Sequence, residues 1–312
     1  MTEGKRLLFI GLGFYDYDSA ICDRLRSMGY VVDYVKTVPS SGIVHKLLKK
    51  LRLNSLLCHK IDEFVNRGIA GASVNNDIVF VIKGENLSAG HLSHLKKSNP
   101  HARFILYLWD NLNKIANKDV LLPCFDKILS FDRLDCIKYE NFEFRPLFYL
   151  RKGEPYHAHR YDLSFIGEDR PGRYKFLKKI SSIIPKDKVV YFRLKSSVLR
   201  TVLDKVTGKR LCNNLRLPYD EFCRITGESA AVLDIVEENQ SGLTMRTIES
   251  LALGKHLYTT NDEICYTPYI SPSSYTVLDV DNPRLQLGKK GGQDDDFYRY
   301  FCLGQFLLDI LK

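Results

Sequence analysis

Long apolar runs are missing from this chain. None of its stretches approaches the roughly 18–20 residues that span a bilayer, so no membrane-crossing helix is expected. The first apolar segment, Leu7 to Leu12, is too short for a signal-peptide core, and no small-residue cleavage site follows it. A cytoplasmic protein is expected. Paired cysteines are missing too. Cys22, Cys58, Cys124, Cys136, Cys212, Cys223, Cys265 and Cys302 are scattered singly without a CxxC, which argues against zinc ribbons and disulfide frameworks and for reduced thiols. There is one Trp, no long basic tail and no repeat shorter than a domain. RNP, KH, helix-turn-helix and zinc-finger patterns are also absent, so nucleic acid is not an expected partner despite the aromatic content.

What is present describes a folded protein. The composition is 45% apolar and 27% charged, and 312 residues suit two domains of ordinary size better than one. The net charge of +9 suits an anionic partner such as nucleotide phosphates or an anionic membrane surface. Apolar segments at Leu7–Leu12, Val31–Val35, Asp77–Ile82, Arg103–Trp109 and Cys124–Phe131 read as strands. Helical spacing lies between them, at Ser19–Gly29 and over the long amphipathic pattern from Ile43 to Val65. Arg151 to Arg160 has the composition of a linker. The pattern then restarts with strands at Tyr161–Gly167, Val189–Phe192, Ala230–Ile235 and His256–Thr260, and with helices at Arg173–Ile184 and Thr244–Leu253. Alternation of this kind predicts an α/β fold with two parallel, Rossmann-like sheets and a ligand cleft between them. The expected domains are 1–150 and 160–295, followed by a C-terminal helix, 296–312, that packs back on the first domain.

The most informative segment runs from Ser241 to Lys255. It follows a strand and opens a helix, so Ser241, Gly242, Leu243 and Thr244 offer free backbone N–H groups suited to phosphate. Arg246 adds a guanidinium suited to bidentate phosphate contact. Glu249 shares its helix face at i,i+3, where a carboxylate can accept ribose hydroxyls. The plainer alternative is that Thr244 caps the helix and Arg246–Glu249 is a solvated ion pair. Both readings stay open on spacing alone.

Several segments together resemble the CgeB-like family of GT-B glycosyltransferases. These are the run SGLTMRTIESLALGK (Ser241–Lys255), Tyr161-Asp162-Leu163-Ser164-Phe165-Ile166-Gly167 with Arg170 and Arg173 after it, Asn76–Gly84, and Tyr107-Leu108-Trp109-Asp110. The resemblance implies a GT-B fold and transfer of a sugar from a nucleotide-sugar donor to a glycan or lipid-linked acceptor, in bacterial surface polysaccharide or lipopolysaccharide synthesis. It implies donor phosphate contacts from Gly167, Arg170 and Ser241 to Thr244, further donor contacts from Arg173 and Thr247, leaving-group neutralisation by Arg246, and a ribose contact by Glu249. No metal or cofactor is implied. Many retaining GT-B enzymes carry two glutamates separated by seven residues in this segment; with Glu249 as the second, the first position falls on Ser241, which leans towards inversion. A catalytically inactive nucleotide-binding relative of the same fold is the alternative.

An inverting transfer needs a base near the acceptor hydroxyl. The acids at first-domain strand ends are Asp16 and Asp18, Glu85, and Asp110. We rank Asp16, Asp18 and Glu85 as base candidates; Gly11, Gly13, Lys83 and Asp110 complete the acceptor side. Gly11-Leu12-Gly13 lacks the third glycine of a dinucleotide fingerprint, and Asp16-Tyr17-Asp18 and Asp279-Val280-Asp281 are taken as chance D-x-D strings. Asp294 to Asp296 are expected to cap the last helix. Residues 46–57 form a basic amphipathic stretch, with an anionic membrane at the inner face of the plasma membrane as the expected peripheral contact and a solvated helix as the alternative.

Overall fold

The structure, a computed structural model, describes residues 4–13, 16–39, 54–153, 159–237 and 240–312. It divides into two compact units, Met1–Pro146 with Phe306–Lys312, and Leu147–Gln305. Each is built around one all-parallel, six-stranded sheet.

The first unit contains β1 (Arg6–Gly11), α1 (Tyr17–Ser27), β2 (Val31–Lys36), α2 (Asn54–Ala70), β3 (Ile78–Ile82), α3 (Ala89–Ser98) and β4 (Arg103–Leu108). After these come α4 (Lys118–Leu121), β5 (Lys127–Ser130), α5 (Arg133–Lys138) and β6 (Phe142–Phe144). The sheet order is β2-β1-β3-β4-β5-β6. β3 is buried at every position, as a parallel strand covered on both faces should be, and its IVFVI run shows why it forms. Residues Phe306–Lys312 belong to this unit. Phe306 packs edge-on against Tyr107 with ring centroids 4.9 Å apart, Asp309 pairs with Arg145 at 3.1 Å, and the Lys312 carbonyl accepts from Arg103 at 2.6 Å. Burying Phe306 contributes about 1.5–3 kcal/mol to holding that segment.

The second unit contains β7 (Tyr161–Glu168), α6 (Arg173–Ile183), β8 (Val190–Lys195), α7 (Val198–Val206), β9 (Cys212–Asn213), α8 (Tyr219–Gly227) and β10 (Ser229–Asp234). After these come α9 (Met245–Ala252), β11 (His256–Thr259), β12 (Tyr275–Val277) and α10 (Asp295–Phe301); α11 (Leu303–Leu311) starts in this unit, and its residues from Phe306 on belong to the first. The order β9-β8-β7-β10-β11-β12 is 3-2-1-4-5-6 within the unit, the doubly wound order, and it reverses between β7 and β10. The junction lies earlier than its composition suggested. Leu147 to Gly153 belong to the second unit, where the Gly153 N–H donates to Ala252 O at 3.0 Å; a Cβ there would stand 2.7 Å from the Leu253 backbone. The single final helix read from the sequence is two, interrupted at Cys302. Asp294 caps the first of them, accepting from the Phe297 N–H at 2.9 Å. The eight cysteines are free thiols. Among the described residues no helix is long and apolar enough to cross a membrane.

Candidate functional site

In doubly wound sheets ligands gather beyond the carboxyl ends of the strands, where the order reverses. In the second unit that point lies between β7 and β10, and a cluster of charged side chains fills it. Its hub is Asp234, the last residue of β10, which is fully buried. Arg246, in the first turn of α9, donates to Oδ1 of Asp234 through Nε at 2.9 Å and pairs with the same oxygen through Nη2 at 2.8 Å. Oδ2 accepts from Thr247 at 2.8 Å and from Thr259 at 3.1 Å, and Thr244 reaches Oδ1 at 3.3 Å. These donors satisfy the buried carboxylate, and it holds the arginine in one rotamer.

Arg246 is then clamped from the β7 side. Its Nη1 donates to Ile166 O at 2.9 Å and its Cζ lies 4.9 Å from the centre of the Phe165 ring. Gly167 leaves the room for this: a Cβ there would stand 2.8 Å from Nη1. Arg173, at the start of α6, is also buried and is tied to Ile235 O at 2.9 Å and Glu168 O at 3.1 Å. Burial, and then the neighbouring Arg246 charge, push its guanidinium down to about 10. Two neighbouring guanidiniums, one of them disfavoured in its charge by the other, make a place where an anion is stabilised. Arg170 is half exposed at the rim and pairs with Glu168 at 2.9 Å and Glu237 at 3.4 Å. Beside it a pocket of about 420 Å³ opens, lined in part by Gly172, Lys175 and Arg200.

Thr244 caps α9 by accepting from the Thr247 N–H at 3.2 Å, while Ser241 and Leu243 are buried in the loop that precedes it. The structure thus brings Gly167, Arg170, Arg173, Thr244, Arg246 and Thr247 to one edge. Glu249 is a correction. The i,i+3 spacing put it beside Arg246, but its side chain points the other way and is fully buried, accepting from Tyr219 OH at 2.8 Å and from the Leu150 N–H at 3.2 Å. Burial pushes this carboxyl up to about 7. It fastens α8 and the 147–153 segment to α9 and is not open to a ribose. The solvated Arg246–Glu249 pair fails for the same reason. Asp234 was missed. Its signal was a carboxylate ending an otherwise apolar strand, which must find a cation once buried.

In the first unit the order reverses between β1 and β3. Lys83 follows β3 with φ of 67°, and Gly84 repeats the left-handed turn at 68°. The Lys83 ammonium sits 2.8 Å from Glu85 and 2.8 Å from Asp110. Burial would lower its pKa, but the two carboxylates, Asp110 foremost, outweigh burial and raise it. Asp16 is exposed at the start of α1, with no side-chain capping bond. Asp18 is a second correction: it is buried, accepting from the Gly13 N–H at 2.6 Å and from Tyr34 OH at 2.7 Å. A Cβ on Gly11 would meet it at 2.2 Å. Asp18 therefore pins the loop after β1 and is not presented to an acceptor. Of the basic stretch 46–57, positions 46–53 lie outside the described residues, and the rest opens α2.

Two Rossmann-like units in one chain make up the GT-B fold. The chain is similar in structure to AviGT4, a glycosyltransferase involved in avilamycin A biosynthesis, with a TM-score of 0.60 and 11% identity over 98% of this chain and 96% of that one. It also matches a UDP-N-acetylglucosamine 2-epimerase (TM-score 0.49, 12% identity, 100% of this chain and 95% of that one) and the T4 phage BGT solved with UDP-glucose (0.47, 12%, 87% and 85%). No protein-family model and no curated protein matches the sequence.

Proposed function

We propose that the chain is a glycosyltransferase that takes a sugar from a nucleotide-sugar donor. The observation that carries this reading is the paired-arginine edge of the second unit, Arg246 and Arg173 around Gly167, at the reversal point of a 3-2-1-4-5-6 sheet. The departing nucleoside diphosphate gains negative charge as the glycosidic bond breaks, and a prealigned guanidinium stabilises that charge without reorganising. Asp234 supplies the alignment. Arg173 and Arg170 would hold the phosphates, and the pocket beside Arg170 would receive the rest of the nucleotide. On the first unit, Glu85 and Asp16 remain the base candidates, with Lys83 and Asp110 organising the acceptor hydroxyl. We assign a glycan or lipid-linked acceptor, a place in bacterial surface polysaccharide synthesis and a CgeB-like, metal-independent, inverting reaction to the same proposal. Their support is the sequence resemblance alone.

A second reading, a nucleotide-binding protein of this fold without transferase activity, is favoured by one observation: the acid expected at the ribose, Glu249, is buried elsewhere. Thermal denaturation against a panel of nucleotides tests the first step. A nucleoside diphosphate should raise the melting temperature, because a ligand that prefers the folded state stabilises it. No shift with any nucleotide would contradict both readings. Donor hydrolysis or transfer, followed by mass spectrometry, then separates the two.

A further inference from the structure

Helix α7, Val198–Val206, is inside out. An amphipathic helix on a sheet normally turns its apolar stripe inward. Here Val198, Leu199, Val202, Leu203 and Val206 are 63, 71, 50, 57 and 80% exposed, while Thr201 and Asp204 face the core. The inversion is stable because the inward polar groups are satisfied. Asp204 accepts from Tyr174 OH at 2.7 Å and from the Cys212 N–H at 2.7 Å, and Thr201 donates to Ser197 O at 2.9 Å. A helix advances 100° per residue, so the five exposed aliphatic side chains share one continuous face, with Arg200 and Lys205 on its two flanks.

The surroundings of that face are cationic. From Arg193 to Arg216 the chain carries seven basic residues, and its one acid is the inward-facing Asp204. Lys205, Lys209 and Arg210 make no ion pair among the described residues, and Lys209 lies close enough to Lys178 of the adjoining helix to disfavour the charge of Lys178. A second copy of the chain seated here would bring two such rims together and repel. An anionic surface complements the rim, and its hydrocarbon takes the aliphatic ridge.

We propose that α7 lays the protein on an anionic lipid bilayer, with Leu199, Val202, Leu203 and Val206 inserted at the level of the acyl chains and Lys205, Lys209 and Arg210 meeting headgroup phosphates. This surface lies on the second unit and is distinct from residues 46–57. It does not depend on the reaction proposed above.

The test is vesicle flotation of the full chain on equal parts phosphatidylglycerol and phosphatidylcholine, and on phosphatidylcholine alone. The wild type is expected to float with the anionic vesicles only, and less so at high salt. L199E/L203E is expected to lower the bound fraction at least about tenfold, as is K205E/K209E, with unchanged melting since all four side chains are exposed. Three results would overturn the proposal. One is a wild type that ignores anionic vesicles, including one that instead forms a dimer dissociated by L199E/L203E or captures an acidic protein there. Another is a double variant L199E/L203E that floats as well as the wild type. The last is equal binding to phosphatidylcholine alone.

Discussion

Asp234 and Arg246 are locked together across the edge of the second sheet: one carboxylate oxygen takes the Nε contact at 2.9 Å and the Nη2 contact at 2.8 Å, and the carboxylate is wholly out of water. The pair joins β10 to the first turn of α9. It leaves the outer N–H groups of the guanidinium, which carries five donors in all, for a ligand.

Removing the acid strands the cation. Asp234→Ala should lower unfolding free energy by about 3–5 kcal/mol, the usual cost of leaving a buried partner uncompensated. Urea denaturation measures it. A loss of under about 1 kcal/mol would mean that water reaches Arg246 freely.

Gly167→Ala tests position without removing charge. The new Cβ would press on Arg246 Nη1 at 2.8 Å and on the Phe165 ring at 2.9 Å, so the guanidinium must shift. Turnover should fall by at least about tenfold, because a displacement of about 1 Å at a reacting centre is costly. The fold should survive, as circular dichroism would show. Unaltered turnover would detach Arg246 from the reaction.

Glu249 predicts a pH dependence of stability. Its folded-state pKa is about 7 against an ordinary 4.5. Below pH 4.5 both states are protonated and nothing is lost. Between 4.5 and 7 the unfolded chain releases its proton first, so stability falls as pH rises, by about 3 kcal/mol in total. Glu249→Gln abolishes that slope and should be the more stable protein at pH 8. Denaturation midpoints of the two proteins across pH 4 to 8 check this; parallel curves would contradict it.

Glu85 and Asp16 compete for one role. Glu85→Gln should lower kcat at least about a hundredfold with donor affinity unchanged if it is the base. Asp16→Asn should then have a small effect. The reverse order of effects transfers the role to Asp16.

The sheets were legible because parallel strands are nearly continuous apolar runs: Leu7–Leu12, Asp77–Ile82 and Tyr161–Gly167 contain β1, β3 and β7 almost entirely. The helices α3, α7 and α8 were not, being only ten, nine and nine residues long. Even a correct helix at Val198–Val206 would have been turned the wrong way, since periodicity reveals an apolar face but not which side it takes. At the site, Arg246, Arg173 and Gly167 were readable from strand-then-glycine and helix-start positions. Glu249 was not, because an i,i+3 spacing allows a shared face without requiring a shared direction. Asp18 misled in a similar way. Its place at a strand end suggested chemistry, but its nearest donors, the Gly13 N–H and Tyr34 OH, are the protein's own.

The claim that the paired-arginine edge receives a nucleotide is tested most directly by a crystal structure with a nucleoside diphosphate bound. The account predicts phosphate oxygens in hydrogen-bond contact with Arg246 and Arg173, next to Gly167. A nucleotide bound elsewhere with that edge unaltered would contradict it.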